Sequence, residues 1–91
     1  MKVHYNILVK GKVQGVFYRQ QSIQRAHELG ISGYVRNLPD GNVHLEAEGE
    51  EEDIQSFIAW CHAGTPASKV EEVVLNPAPV EDLEGFAVKG S

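Results

Sequence analysis

Nine consecutive residues carry the parts of an anion site: Gly11-Lys12-Val13-Gln14-Gly15-Val16-Phe17-Tyr18-Arg19. They join an alternating, strand-like run to a helix-like run. A helix start presents unpaired N–H donors and the positive end of the helix dipole. A loop wrapped over that end becomes an anion cradle. Arg19 adds a planar, always-charged fork that matches phosphate oxygens. The plainer alternative is an ordinary glycine-containing connection. The stretch is not a common P-loop, which wants Gly-Lys followed by Ser or Thr at the end of the loop. Here Gly11-Lys12 opens the loop and Val13 follows.

Other chemistries find less support. His4, His27, His44 and His62 form no i, i+4 pair, and Cys61 has no second cysteine with which to build a metal knuckle. Each histidine reads as a surface or strand-face residue. A cysteine phosphatase needs an arginine six residues after the cysteine, and that position is Ala67. The serines lack a nucleophile-elbow context. RNA binding wants exposed aromatics and bases on the central strands, which here carry Tyr5, Tyr34, His44 and several acids.

The elements that must position the loop follow from periodicity. Val3, Tyr5, Ile7 and Val9 alternate with His4, Asn6, Leu8 and Lys10 as a strand, which Gly11 is expected to end. Arg19 to Leu29 reads as a helix stopped at Gly30. Gly33-Tyr34-Val35-Arg36-Asn37 is a second strand and Leu38-Pro39-Asp40-Gly41 a turn. Val43, Leu45 and Ala47 then form the return strand of a hairpin, half-buried, with the acids beside them in water. Glu50 to Asp53 suit a helix N-terminus through its dipole. Behind them Ile54, Phe57, Ile58 and Cys61 make one apolar face, so Cys61 reads as a small core residue. Gly64 and Pro66 end that helix. Val70 to Leu75 is a fourth strand closed by Asn76-Pro77-Ala78-Pro79, and Phe86 to Val88 a short last one.

Two strand–helix–strand units in that order predict an α+β, ferredoxin-like split β-α-β sandwich, an antiparallel sheet with both helices on one face. In such a unit the end of the second strand lies near the start of the first helix. Alternation places Asn37 on the helix-covered side with Val35, and turns Arg36 the other way. Asn37, an amide with donor and acceptor groups, is therefore the candidate partner of the loop. Its plainer alternative is a strand-end asparagine binding the turn backbone.

Composition bounds the rest. The 91 residues, 42% hydrophobic, suit one domain spanning 1–91 with one modest core. A single cysteine leaves no internal disulfide. No signal peptide or membrane-spanning run is legible, so a cytoplasmic protein with no membrane partner is expected. The net charge is −5. Lys2, Lys10, Lys12, Arg19 and Arg25 lie before any acid, while Arg36, Lys69 and Lys89 share the remainder with all 13 acids. That balance disfavours nucleic acid yet allows a small anion to be steered to a local positive site.

The chain resembles the acylphosphatase family in Gly11 to Arg19 and in Gly33-Tyr34-Val35-Arg36-Asn37, continuing into Asp40-Gly41-Asn42-Val43. Tyr34 stands where many members have tryptophan. The resemblance extends from about Val3 to Val88 and is weakest after Asn76. It implies hydrolysis of a carboxyl–phosphate anhydride to a carboxylate and inorganic phosphate, without metal or cofactor. It also implies catalytic roles for Arg19 and Asn37, with Gln14, Gly15, Val16, Phe17, Tyr18 and Arg19 as the substrate-binding loop. The expected partner is a small acyl phosphate, handled by a monomer. The alternatives are a non-catalytic anion-binding module and the acylphosphatase-like segment of a larger maturation protein.

Overall fold

A computed structural model describes residues 1–90. The elements are β1 (Lys2–Lys12), α1 (Tyr18–Leu29), β2 (Ser32–Asn37), β3 (Val43–Glu50), α2 (Glu51–Ala63), β4 (Lys69–Ala78) and β5 (Phe86–Val88). They build a ferredoxin-like α+β fold with strand order β4-β1-β3-β2-β5. The helix-side core joins Ile7, Val9, Val35, Val43 and Leu45 of the sheet to Ala26 of α1 and Ile54, Phe57 and Cys61 of α2. Phe57 and Cys61, three and seven residues beyond Ile54, are buried as their helical spacing requires.

Several expectations change. The sheet is mixed: β1, β3, β2 and β4 pair antiparallel, but β5 runs parallel to β2. β5 is three residues long, and its direction is set by the path of the chain across the sheet rather than by any pattern of its own. β1 does not end at Gly11. It continues to Lys12 through a register shift between Lys10 and Gly11 against β4. Gly11 has φ 129°, and a Cβ there would collide with the main chain at Lys69 and Glu71, so this bulge requires glycine. β4 likewise runs past Leu75 through Pro77 to Ala78, which an edge strand tolerates because its outer side needs no N–H donor.

The acids of β3 are not in water. Glu48 is fully buried, Glu46 nearly so, and His4 opposite Glu48 is buried as well. All three lie on the sheet face away from the helices, so alternation was kept but its polar side was not left to solvent. Residues 79–85 cross that face, and Glu48 accepts the main-chain N–H groups of Glu81 (2.6 Å) and Leu83 (2.8 Å). His4 donates to Glu48 (Nδ1, 2.9 Å) and to Glu46 (Nε2, 2.6 Å). Burial opposes its charge, but the two carboxylates outweigh that and raise its pKa. Burial also opposes ionisation of Glu48. The Glu81 N–H, His4 and the Leu83 N–H overcome it and lower this carboxyl to about 2. Arg36 Nε donates to His44 Nδ1 (3.0 Å), leaving His44 Nε2 to donate to the second oxygen of Glu46 (2.8 Å).

Candidate active site

The loop between β1 and α1 is held from three directions. The Thr65 hydroxyl, buried after α2, donates to the Val16 carbonyl (2.8 Å). The Tyr18 hydroxyl donates to the Cys61 carbonyl (2.8 Å), and its ring lies 4.9 Å from that of Trp60. The Gln14 side-chain amide donates to the carbonyls of Leu38 and Asn42, both at 2.8 Å. Val13 and Val16 sink into the core. The loop is thus fixed mainly by groups that face away from its concave side.

Its backbone explains the concavity. Gly15 (φ 73°) and Phe17 (φ 65°) are left-handed, and Val16 between them is not. Alternating handedness turns successive N–H groups toward one centre, the main-chain nest that holds anions. Open space around Gly15 shows that the backbone angle, not crowding, asks for glycine there. Phe17 holds the same angle with a bulky side chain, which costs about 1–2 kcal/mol. It is the N-cap residue of α1, yet no side chain caps the helix and no acid occupies the first turn. Among the described residues, the N–H groups of Gln14, Gly15, Val16 and Phe17 donate to no protein acceptor.

These donors open on a cleft of about 540 Å³. Gly15, Phe17, Tyr18, Arg19 and Asn37 line it, with Ile23 and Val88 on the apolar side. Arg19 is the one charged residue in the lining; among the described residues it has neither ion pair nor side-chain hydrogen bond. Asn37 reaches the cleft from the end of β2, and its Oδ1 is buried with no hydrogen-bond partner. An orphaned buried oxygen is a cost that a fold normally avoids. Here its residue lines the same cleft as a free guanidinium and a row of unpaired amides. That arrangement can hold an anion and fix a water beside it.

Of the residues singled out in the loop, Gly15, Phe17, Tyr18 and Arg19 meet Asn37 in the cleft. Val16 has its side chain in the core, and Gln14 spends its side chain on the β2–β3 turn, so either reaches a ligand only through its main chain. Neither other titratable group behind the loop suits nucleophilic work. Burial pushes the Cys61 thiol up to about 12 and the Tyr18 phenol higher still above its ordinary value. Thr65 was missed by sequence reasoning. Its only signal is local: it closes a turn with Ser68 after the helix-ending Gly64. Metal-ligand types gather elsewhere. Atoms of His4, Glu46 and Glu81 lie within 4.8 Å of one another on the far sheet face.

Comparison with known proteins finds relatives over nearly the whole chain. The family model described as Acylphosphatase matches residues 5–88. An acylphosphatase of Methylococcus capsulatus is 51% identical over 88 residues, 96% of this chain and 94% of its own. One from Trichormus variabilis is 41% identical over 87 residues, covering 96% and 86%. The crystal structure of acylphosphatase from Bacillus subtilis superposes with a TM-score of 0.94 at 34% identity, covering 97% of this chain and 99% of that one.

Proposed function

This chain belongs to the acylphosphatase family and hydrolyses acyl phosphates, and from that premise we propose how its own residues divide the work. Arg19 and the main-chain N–H groups from Gln14 to Arg19 bind the phosphoryl oxygens. Asn37 orients the attacking water, whose O–H is accepted by the orphaned Oδ1. The water oxygen bonds to phosphorus, the bond from phosphorus to the acyl oxygen breaks, and the products are a carboxylate and inorganic phosphate. The proton released by water ends on the phosphate.

A phosphoryl transition state spreads charge over its equatorial oxygens, so positioned donors are the main requirement. The leaving carboxylate has a conjugate acid of pKa about 4 and needs no general acid near neutral pH. A site of one guanidinium, main-chain amides and one neutral amide therefore suffices for this leaving group, without a metal or cofactor. The single observation that carries the assignment is that Asn37, which lines the cleft with Arg19, has a buried side-chain oxygen with no protein partner. The family match over residues 5–88 supports reading 1–91 as one acylphosphatase domain, and we propose that it acts as a monomer. No described helix is long and apolar enough to cross a membrane.

The test is phosphate release from a simple aryl-carbonyl phosphate with a chelator present. Turnover that persists in chelator, with an aryl phosphate monoester hydrolysed far more slowly, is the expected result. Saturable phosphate binding without turnover would overturn it.

A further inference from the structure

We infer that Gln14 is a positioning residue for the reaction, setting Asn37 against the anion cradle while leaving the phosphate itself to the main chain. The inference rests on the water-orienting role proposed for Asn37. Its basis is where the sheet stops. The ladder between β1 and β3 ends at the pair Val9–Val43, and β1 then runs on to Lys12 paired only with β4, on its other side. Asn37 lies opposite Val43, at the last rung of the β2–β3 ladder. The cradle and the turn after Asn37 therefore stand on separate prolongations of the chain, past the last pairs that join β1 to β3 and β2 to β3.

Gln14 closes that gap. Its Nε2 donates to both Leu38 O and Asn42 O at 2.8 Å, across 24 and 28 residues of sequence. Among the described residues these are the only hydrogen bonds between the loop and the turn after Asn37. The two carbonyls are the ends of that turn. Leu38 N–H donates to Asn42 O (2.9 Å), and Gly41 N–H to Leu38 O (3.2 Å). A primary amide is the group for this task, because one nitrogen carries two hydrogens that can serve two acceptors. Asn37 needs such outside support, since its Oδ1 has no protein partner to fix the amide plane. A placement error of ~1 Å in a reacting group is worth up to ~10²-fold in rate.

The experiment compares Gln14→Met, near in shape but without donors, and Gln14→Ala, each with and without Asn37→Ala. It reads kcat on an aryl-carbonyl phosphate, the inhibition constant of inorganic phosphate, and the melting temperature. The expected result is a kcat lower by about ten- to a hundredfold in both single variants, with phosphate inhibition kept within about twofold. In the Asn37→Ala background, removing Gln14 should cost no more than about twofold further, because residues acting through one another do not add. A merely structural Gln14 would lower the melting temperature and weaken phosphate binding in step with kcat. Wild-type kcat in either folded variant, parallel loss of phosphate binding, or full additivity with Asn37→Ala each overturns the inference. Full turnover in Asn37→Ala alone would instead remove the water-orienting role, and this inference with it.

Discussion

Arg36 and Asn37 are neighbours on one strand and face opposite sides of the sheet. Arg36 donates to His44, which continues through Glu46 to His4, Glu48 and the N–H groups of residues 81 and 83. Among the described residues, every buried side-chain polar atom of that face has a partner. Asn37, one residue on, leaves a buried oxygen with none, beside an unpaired arginine and uncapped amides. The face with more titratable groups is the internally paired one, and the proposed reactive site lies on the face with fewer. Buried charge that is fully satisfied holds a fold in place. Polar atoms left open mark where a ligand completes the hydrogen bonding. The comparison also explains why the His4, Glu46 and Glu81 grouping is read as structure: His4 and Glu46 already bind each other, and Glu48 and His44 take their remaining positions.

Substitutions on the two sides should therefore separate activity from stability. Arg19→Ala should lose about 10³ or more in kcat/KM, as other phosphoryl-stabilising arginines do. Steady-state kinetics checks it, and near-normal turnover would take Arg19 out of the mechanism. Asn37→Ala should lose about 10²–10³ in kcat, by analogy with a lost oxyanion donor. Its stability to urea should stay within about 1 kcal/mol of the parent, because the deleted oxygen made no hydrogen bond to lose. Unfolding of that variant would return Asn37 to a strand-end structural role.

On the opposite face the signs reverse. Glu48→Gln should cost about 1–3 kcal/mol of stability by removing one of the two carboxylates on His4 and weakening the acceptor of the Glu81 and Leu83 N–H groups, with kcat/KM of the remaining folded protein unchanged. The smallest effect is that of pH. His4 has a raised folded pKa, so its stabilisation is complete below about 6.5, its unfolded value, and fades as pH climbs through the higher folded one. Glu48 acts in the other direction. Its contribution is complete above about 4.3 and disappears as pH falls toward 2. Melting temperature should decline at both ends of that range, and replacing His4 with Gln should remove the alkaline limb and shrink the acid one, because His4 is among the groups that lower the Glu48 carboxyl.

The reactive side was the more legible in sequence. Gly15, Arg19 and Asn37 sit at chain positions whose local geometry follows from loop, helix start and strand parity, so their meeting could be expected from the order of elements. The partnering of the far side could not. Alternation correctly placed Glu46 and Glu48 opposite Leu45 and Ala47, but what covers them is residues 79–85, which have no periodicity and bind through main-chain N–H groups. The parallel direction of β5 was hidden for the same reason, since three residues carry no sign of which neighbour they join. Gln14 and Thr65 reach their partners across 24 and 49 residues, distances at which only the folded chain brings groups together.

The most direct test follows amide resonances of the wild-type protein while inorganic phosphate is added. The N–H signals of Gly15, Val16, Phe17, Tyr18 and Arg19 and the Asn37 side-chain signal should shift along one saturation curve, while those of His4, Glu46 and Glu48 hold still. Phosphate that moves the far face, or leaves the loop signals where they were, contradicts the account.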